Sequence, residues 1–353
     1  MEKNKILVYG ANGYTGQLIA RYAASWELQP VLAGRNAAVI RQLAGELSLP
    51  SRIFSLDNAD ELHRQLEDVK VVIHAAGPFI HTARQMVEAC IATGTHYMDI
   101  NGDLSVFEFI RSYDQQAKEA GVMLLPGAGF DVVPTDCLAL QLKEQMPDAT
   151  RLQLAFVQLG GQISHGTATT MAGKAGEGGA VREKGKIVRK PLGQKGMWLR
   201  FEGKPFHVMT IPWGDVSTAY HTTGIPDIET YTGMKPLVFY LLKAQFLFNW
   251  LLRTKFVRQY IQRKINARPA GPSDAQRAKA RTYVWGKVQN VAGQSVTGQF
   301  VCSDGYTLTA DSCLALAKEI LKGYFRPGYQ TPAAVYGADF IYRLPGTRAL
   351  GGE

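Results

Sequence analysis

The chain has 353 residues, 46% of them hydrophobic and 20% charged, with a formal net charge of +9 at pH 7. That is longer than one core usually supports and too apolar for a disordered chain, so two folded domains are expected. Four cysteines, Cys90, Cys137, Cys302 and Cys313, are scattered without a C-x-x-C pair, which excludes a disulfide framework and a structural zinc site and favours a reducing compartment.

The first residues pass from charge straight into a short apolar run, so no secretory leader is expected and a cytoplasmic location is. KILVY over 5–9 predicts a buried strand, followed by the turn GANGYTG and a helix from about Thr15 to Ala24. A second strand, Pro30–Ala33, ends in Gly34-Arg35-Asn36, and a helix carrying Val39, Ile40 and Leu43 follows. The pattern repeats with Arg52–Phe54 as strand, ADELHRQLED as helix and VVIHA as strand. Then come the helix TARQMVEACIATG, the strand THYMDI, the helix LSVFEFIRSYDQQAKEAG and the strand VMLLPGAG. Strands alternating with amphipathic helices mean a doubly wound parallel sheet, a Rossmann domain over 1–135.

Beyond VVPTDCLALQLKEQMP the texture changes. RLQLAFVQ, STAYHTTG and RTYVWGKVQ alternate like strands with one wetted face, and MAGKAGEGGAVREKGK reads as a long loop. This predicts a second, α+β domain over 136–308 with a mainly antiparallel sheet, bearing the substrate and a dimer contact. TADSCLALAKEILKG predicts a helix with Thr309 or Asp311 as N-cap, opening a C-terminal segment over 309–353 that packs back on the first domain.

A strand, G-x-x-G-x-x-G and a helix turn backbone N–H groups towards a pyrophosphate. Gly10, Gly13 and Gly16 permit the tight turn, the close approach and the helix packing, with Asn12, Tyr14 and Thr15 on the same turn. An NAD site usually puts an acid about twenty residues further on, to hold the ribose hydroxyls. Arg35 and Asn36 stand there instead, and a guanidinium suits a 2′-phosphate, so the expected cofactor is NADP(H). Ala75, Ala76, Gly77 and Pro78, closing the fourth strand, leave room for the ribose and nicotinamide. Asp57 is placed either on the adenine amino group or as the cap of the next helix.

With GANGYTG, AGRN, VVIHAAGPF, VEACIATGTHYMDINGD, PGAGFDVVPTD and GYQTPAAVYG in order, the chain resembles the saccharopine dehydrogenase-like oxidoreductases. It looks closest to the branch holding the trans-acting enoyl reductases and the eukaryotic saccharopine dehydrogenase-like oxidoreductase. The resemblance is dense to about Asp136 and thin beyond. It implies a Rossmann domain, a second domain bearing the substrate site, and cofactor contacts at Gly10, Gly13, Gly16, Arg35 and the Gly77-Pro78-Phe79 run. Two departures bear on the substrate: Asp103 replaces the glutamate that commonly ends the Tyr97/Asp99 motif, and His165 interrupts a small-residue stretch, ISHGTATTM.

For the chemistry itself, His165 in a glycine-flanked loop is the titratable candidate, and Tyr97 and Asp99 end a strand at the ligand-binding edge. Each also reads as an ordinary structural residue. Asp131 either caps the VPTDCLAL helix or meets substrate. Two Y-x-x-x-K pairs, Tyr260/Lys264 and Tyr283/Lys287, are coincidental: the first lies far too late, the second on a strand. No histidine spacing suggests a metal, and the basic residues form no nucleic-acid module.

Residues 236–265 stand apart. Leu237–Leu252 is apolar but for Lys243, Gln245 and Asn249, too short and too interrupted to span a bilayer, and a basic stretch follows. Such a segment suits peripheral contact with an inner membrane surface, a homodimer contact, or a lid over a greasy substrate. The expected protein is an NADP(H)-dependent oxidoreductase that moves hydride to or from a carbonyl, imine or activated C=C of a small-molecule, lipid-like substrate. The competing reading is a non-catalytic dinucleotide-binding protein at a membrane or on a scaffold.

Overall fold

A computed structural model describes residues 3–174, 176–247, 249–252, 254–267 and 269–351. The first elements are β1 (Lys5–Tyr9), α1 (Tyr14–Tyr22), β2 (Val31–Gly34), α2 (Ala37–Leu47), β3 (Ser51–Ile53), α3 (Ala59–Leu66), β4 (Val69–His74), α4 (Phe79–Thr93), β5 (His96–Asp99), α5 (Leu104–Arg111), α6 (Asp114–Glu119) and β6 (Met123–Leu125). Next come α7 (Val133–Gln145), β7 (Arg151–Leu159), α8 (His165–Gly173), β8 (Gly179–Glu183), β9 (Lys186–Lys190), β10 (Gly196–Phe201), β11 (Lys204–Thr210), α9 (Asp215–Thr223) and β12 (Asp227–Gly233). The remainder are α10 (Pro236–Lys243), α11 (Asn249–Leu252), α12 (Lys255–Asn266), α13 (Asp274–Lys279), β13 (Arg281–Gln289), β14 (Ser295–Cys302), α14 (Gly305–Leu321), β15 (Gly328–Tyr329), α15 (Pro332–Tyr336) and β16 (Arg348–Ala349).

Two compact units result. One runs to Val133 and resumes over Gly305–Phe340; the other is Pro134–Asp304 with the chain from Ile341 on. The C-terminal segment expected to return whole to the first unit is therefore divided. Its last strand, β16, pairs with β14 through Phe300↔Ala349 and Val301↔Arg348.

In the first unit, β1, β2, β5 and β6 are buried almost without a break, because helices cover both faces of a parallel sheet. Strand order is β15-β6-β5-β4-β1-β2-β3, every pair parallel, so the order reverses between β1 and β4. α14 packs against α1 and β4 and buries most of its length. In the second unit the order is β10-β11-β12-β7-β13-β14-β16, with β8 on β12 and β9 on β8. Only β7 and β12 pair in parallel among these strands. Gly286 and Gly298 mark the face that α7 covers: a Cβ on either would meet Leu138 or Leu142 at about 3 Å or less.

Four sequence expectations change. STAYHTTG lies in helix α9, closed by Gly224 at φ 68°; its alternation and its threonines pointed to a strand, but residues 215–219 are buried in an unbroken run. The tail helix starts at Gly305, so Thr309 and Asp311 lie inside it. Thr309 bonds Gly305 O at 2.7 Å, and Asp311 accepts from Trp26 Nε1 at 2.9 Å. LSVFEFIRSYDQQAKEAG breaks into α5 and α6. The long glycine-rich loop holds the end of α8 and the hairpin β8–β9, whose turn residues Lys184 and Gly185 both take positive φ.

Glycine at position 10 is fixed by two constraints at once. Its φ is +88°, and a Cβ there would stand 2.7 Å from Ala76 N and 2.8 Å from Ala75 C. Gly45, exposed in α2, has open space around it. Gly10→Ala is expected to cost about 3 kcal/mol in urea unfolding, and Gly45→Ala to add about 0.5 kcal/mol.

Candidate functional site

The turn after β1 is built for a bound anion. Gly10 N and Ala11 N both reach Ala33 O, at 2.8 and 3.2 Å, and Gly13 N reaches Gly10 O at 2.9 Å. The amides of Asn12, Thr15 and Gly16 have no partner among the described residues at the start of α1, whose first turn carries no acid. Such orphan donors, with the helix dipole behind them, favour a diphosphate. Gly16 completes the cradle: a Cβ there would stand 2.3 Å from Gly10 O, so only glycine lets α1 lie against the turn.

Around this turn stand the other expected contacts. Arg35 follows β2, exposed, with no hydrogen bond or ion pair among the described residues. Asn36 caps α2, Oδ1 accepting from Val39 N at 3.2 Å, so its side chain is engaged in the fold. Asp57 is exposed and accepts from Ser55 Oγ at 2.5 Å, while Asn58 caps α3. Ala75 and Ala76 approach Gly10, and Gly77–Pro78 is a cis peptide on the exposed rim. Sequence reasoning passed over what holds this rim. His74 Nε2 lies 3.0 Å from Thr82 Oγ1, which donates to Ala76 O at 2.8 Å. The hydroxyl proton being spent, His74 donates from Nε2. Full burial pushes its pKa down to about 3, so the ring is neutral.

At the carboxyl ends of β5 and β6 lies a second cluster. Tyr97 and Asp99, both fully buried, are bonded to each other, Tyr97 OH donating to Asp99 Oδ2 at 2.7 Å. Asp99 Oδ1 accepts from Gly127 N at 2.8 Å and Asn101 N at 3.0 Å, and Asp99 O accepts from Ala128 N at 2.7 Å. Asp131 packs on Gly102 so closely that a Cβ there would lie 2.2 Å from its Oδ2. The loop carrying Asp131 is held by α14: Phe130 N donates to Thr309 Oγ1 at 3.0 Å, and Ser312 Oγ to Ala128 O at 2.6 Å. Burial lifts the Asp99 pKa to about 6 despite three donors. Burial first, then the charge of Asp99, lifts Asp131 to about 7. Asn101 is 1% exposed and leaves Nδ2 without a partner among the described residues.

His165 is not in a loop. Ser164 caps α8, accepting from Thr167 N at 3.2 Å, and His165 opens the helix with Nε2 2.8 Å from Asn266 Oδ1 on α12. It belongs to the second unit, Tyr97 and Asp99 to the first. Among the described residues no group of three or more His, Cys, Asp and Glu could hold a metal, and no helix is long and apolar enough to cross a membrane.

Residues 6–125 match the sequence profile of the saccharopine dehydrogenase NADP-binding domain. That segment is similar to a saccharopine dehydrogenase-type NADP-binding domain. The chain is similar to a lipid droplet localized protein of Caenorhabditis elegans, 29% identical over 211 residues, 54% of this chain and 49% of that protein. It is also similar to the saccharopine dehydrogenase-like oxidoreductase of Mus musculus, 30% identical over 161 residues, 40% and 38% of the two chains. These matches span half or less of the relatives' own length. Apo saccharopine dehydrogenase (L-Glu forming) of Saccharomyces cerevisiae shares the fold, with a TM-score of 0.67 over 99% of this chain and 100% of that one at 14% identity.

The first unit also carries a pH dependence at Asp131. Free carboxyls lose their proton near pH 4, whereas Asp131 in the fold keeps its proton to about pH 7. Between these values the unfolded chain binds fewer protons than the native one, so this group's contribution to stability falls as pH rises and is level above the window. Asp131→Asn is expected to be about 1–2 kcal/mol more stable than the parent at pH 8 and equal to it at pH 4, read by urea unfolding.

Proposed function

We propose that the protein is an NADP(H)-dependent oxidoreductase acting on a carbonyl, imine or activated C=C in a small, lipid-like substrate. The observation that carries the cofactor assignment is Arg35, an exposed guanidinium without a partner among the described residues, where an NAD site would hold an acid. The unpaired amides of Asn12, Thr15 and Gly16 would hold the diphosphate, Arg35 the 2′-phosphate, and the Ala75–Pro78 rim would flank the nicotinamide ribose. Bound NADP(H) supplies or accepts the hydride. What the chain adds is orientation and a proton. Asp131 shares the carboxyl edge of the sheet with the phosphate turn and keeps its proton to near-neutral pH, which fits it to hold the proton that a reduced substrate takes up. Asp99, fixed by three donors, positions the Asp131 loop and raises its pKa through charge.

The lipid-like substrate and work at a lipid surface, met from the cytoplasmic side through residues 236–265, are supported by the relative localised to lipid droplets. The four free cysteines, all buried, suit a cytoplasmic setting. One observation favours the non-catalytic reading: Tyr97 and Asp99 are bonded to each other, and His165 to Asn266, so none of the three expected catalytic side chains stands unengaged.

Arg35→Asp tests the assignment. It is expected to weaken NADPH about 100-fold while changing NADH by less than about 3-fold in fluorescence titrations. Equal losses for the two dinucleotides would remove the 2′-phosphate role.

A further inference from the structure

From residue 230 to residue 273 the chain has eight Lys and Arg and no Asp or Glu. This eighth of the sequence therefore carries eight of the nine net positive charges, and the rest of the protein is close to neutral. The same segment carries large apolar side chains outward. Leu237, Tyr240, Phe246, Leu247, Trp250 and Phe256 are each between 64% and 78% exposed. Soluble surfaces show such residues singly; a run of them along consecutive short helices marks a contact.

Their exposure is not loose packing, because the inward side of the segment is fastened. Gln245 Nε2 donates to Leu192 O and Leu242 O, both at 2.8 Å, and its Oε1 accepts from Leu192 N at 3.2 Å. Phe239 is buried on α10, its ring 4.9 Å from that of His207. On α12, Ile265 packs against Ala168 and Ala172 of α8, and Gln262 Nε2 bonds Thr169 Oγ1 at 3.1 Å. His165, through Asn266, belongs to this fastening. Among the described residues, Gln245, Gln262 and Asn266 are bonded inward, while the large apolar side chains named above face outward.

We infer that residues 235–268 form a two-part anchor selective for an anionic lipid leaflet. The side chains of Leu237, Tyr240, Phe246, Leu247 and Trp250 enter the apolar margin, and the cations that follow, Arg263 and Lys264 among them, meet acidic headgroups. Charge decides the occupant. In a symmetric self-contact the same patch faces itself, so eight cations would meet eight with no acid in the segment to pair with. A neutral apolar partner would leave the cations unused. An anionic leaflet answers both halves, since lysine and arginine near such a surface add to apolar insertion and are screened by salt. This extends the lipid-surface reading and owes nothing to the cofactor.

The test is flotation of the full chain with vesicles of phosphatidylcholine alone or with about a third phosphatidylserine. At low salt the expected result is at least about 10-fold tighter binding to the anionic vesicles, lost in high salt. Phe246→Ser with Trp250→Ser is expected to lower binding at both salt levels, and Arg263→Glu with Lys264→Glu to abolish the preference for charge. Melting temperature and NADPH affinity should stay at parental values in both variants. Equal binding to both vesicles would overturn the anionic selectivity and leave the lipid-surface reading standing. Binding to neither, with the same variants shifting the sedimentation of the free protein, would overturn both in favour of a protein contact.

Discussion

The approach of two strand ends without an intervening side chain governs the first unit. β1 and β4 lie side by side where the sheet order reverses, and the chain leaves β1 through Gly10 against the backbone of Ala75 and Ala76. Because no Cβ separates them, α1 starts close to the sheet, with the amides of Thr15 and Gly16 without a partner among the described residues. Gly16 repeats the constraint one turn on. The proposed phosphate site needs little side-chain chemistry: main-chain donors and a helix dipole would do the binding, and Arg35 would add the selectivity.

A second constraint lies at the other end of the same edge. The stretches THYMDINGD and PGAGFD are two halves of one lock. Asp99 and Gly102 come from the first, Gly127, Gly129 and Asp131 from the second. Gly127 takes φ +72° with Val132 and Phe107 crowding it, Gly129 makes room for Thr309, and Gly102 makes room for the Asp131 carboxylate. The lock brings two acids close in an apolar setting, which is why both hold protons more tightly than exposed acids do.

How far the sequence could be read follows from how local each feature is. The parallel sheet was legible because its strands are short unbroken apolar runs, and the phosphate turn because its glycines answer contacts within and beside the turn. The acid lock was legible as motif but not as chemistry, since nothing adjacent in sequence tells Asp99 that one of its three donors lies at Gly127. STAYHTTG misled because β-branched residues also fill helices when their tertiary partners fit, as Thr222 does, its Oγ1 donating to Asp136 Oδ1. His165 looked like a loop residue because Ser164, its cap, was read as one more small residue in a glycine-rich run.

The return of Gly305–Phe340 to the first unit has a consequence for how the chain comes into being. The segment recognisable as NADP-binding ends at residue 125, yet α14 closes over α1 and β4 and fastens the Asp131 loop. During synthesis the leading part must therefore wait, with that apolar surface uncovered, until nearly the whole polypeptide has left the ribosome. A fragment cut after the recognisable motif would inherit the same bare patch and be prone to aggregate, so the natural unit of expression is the undivided chain.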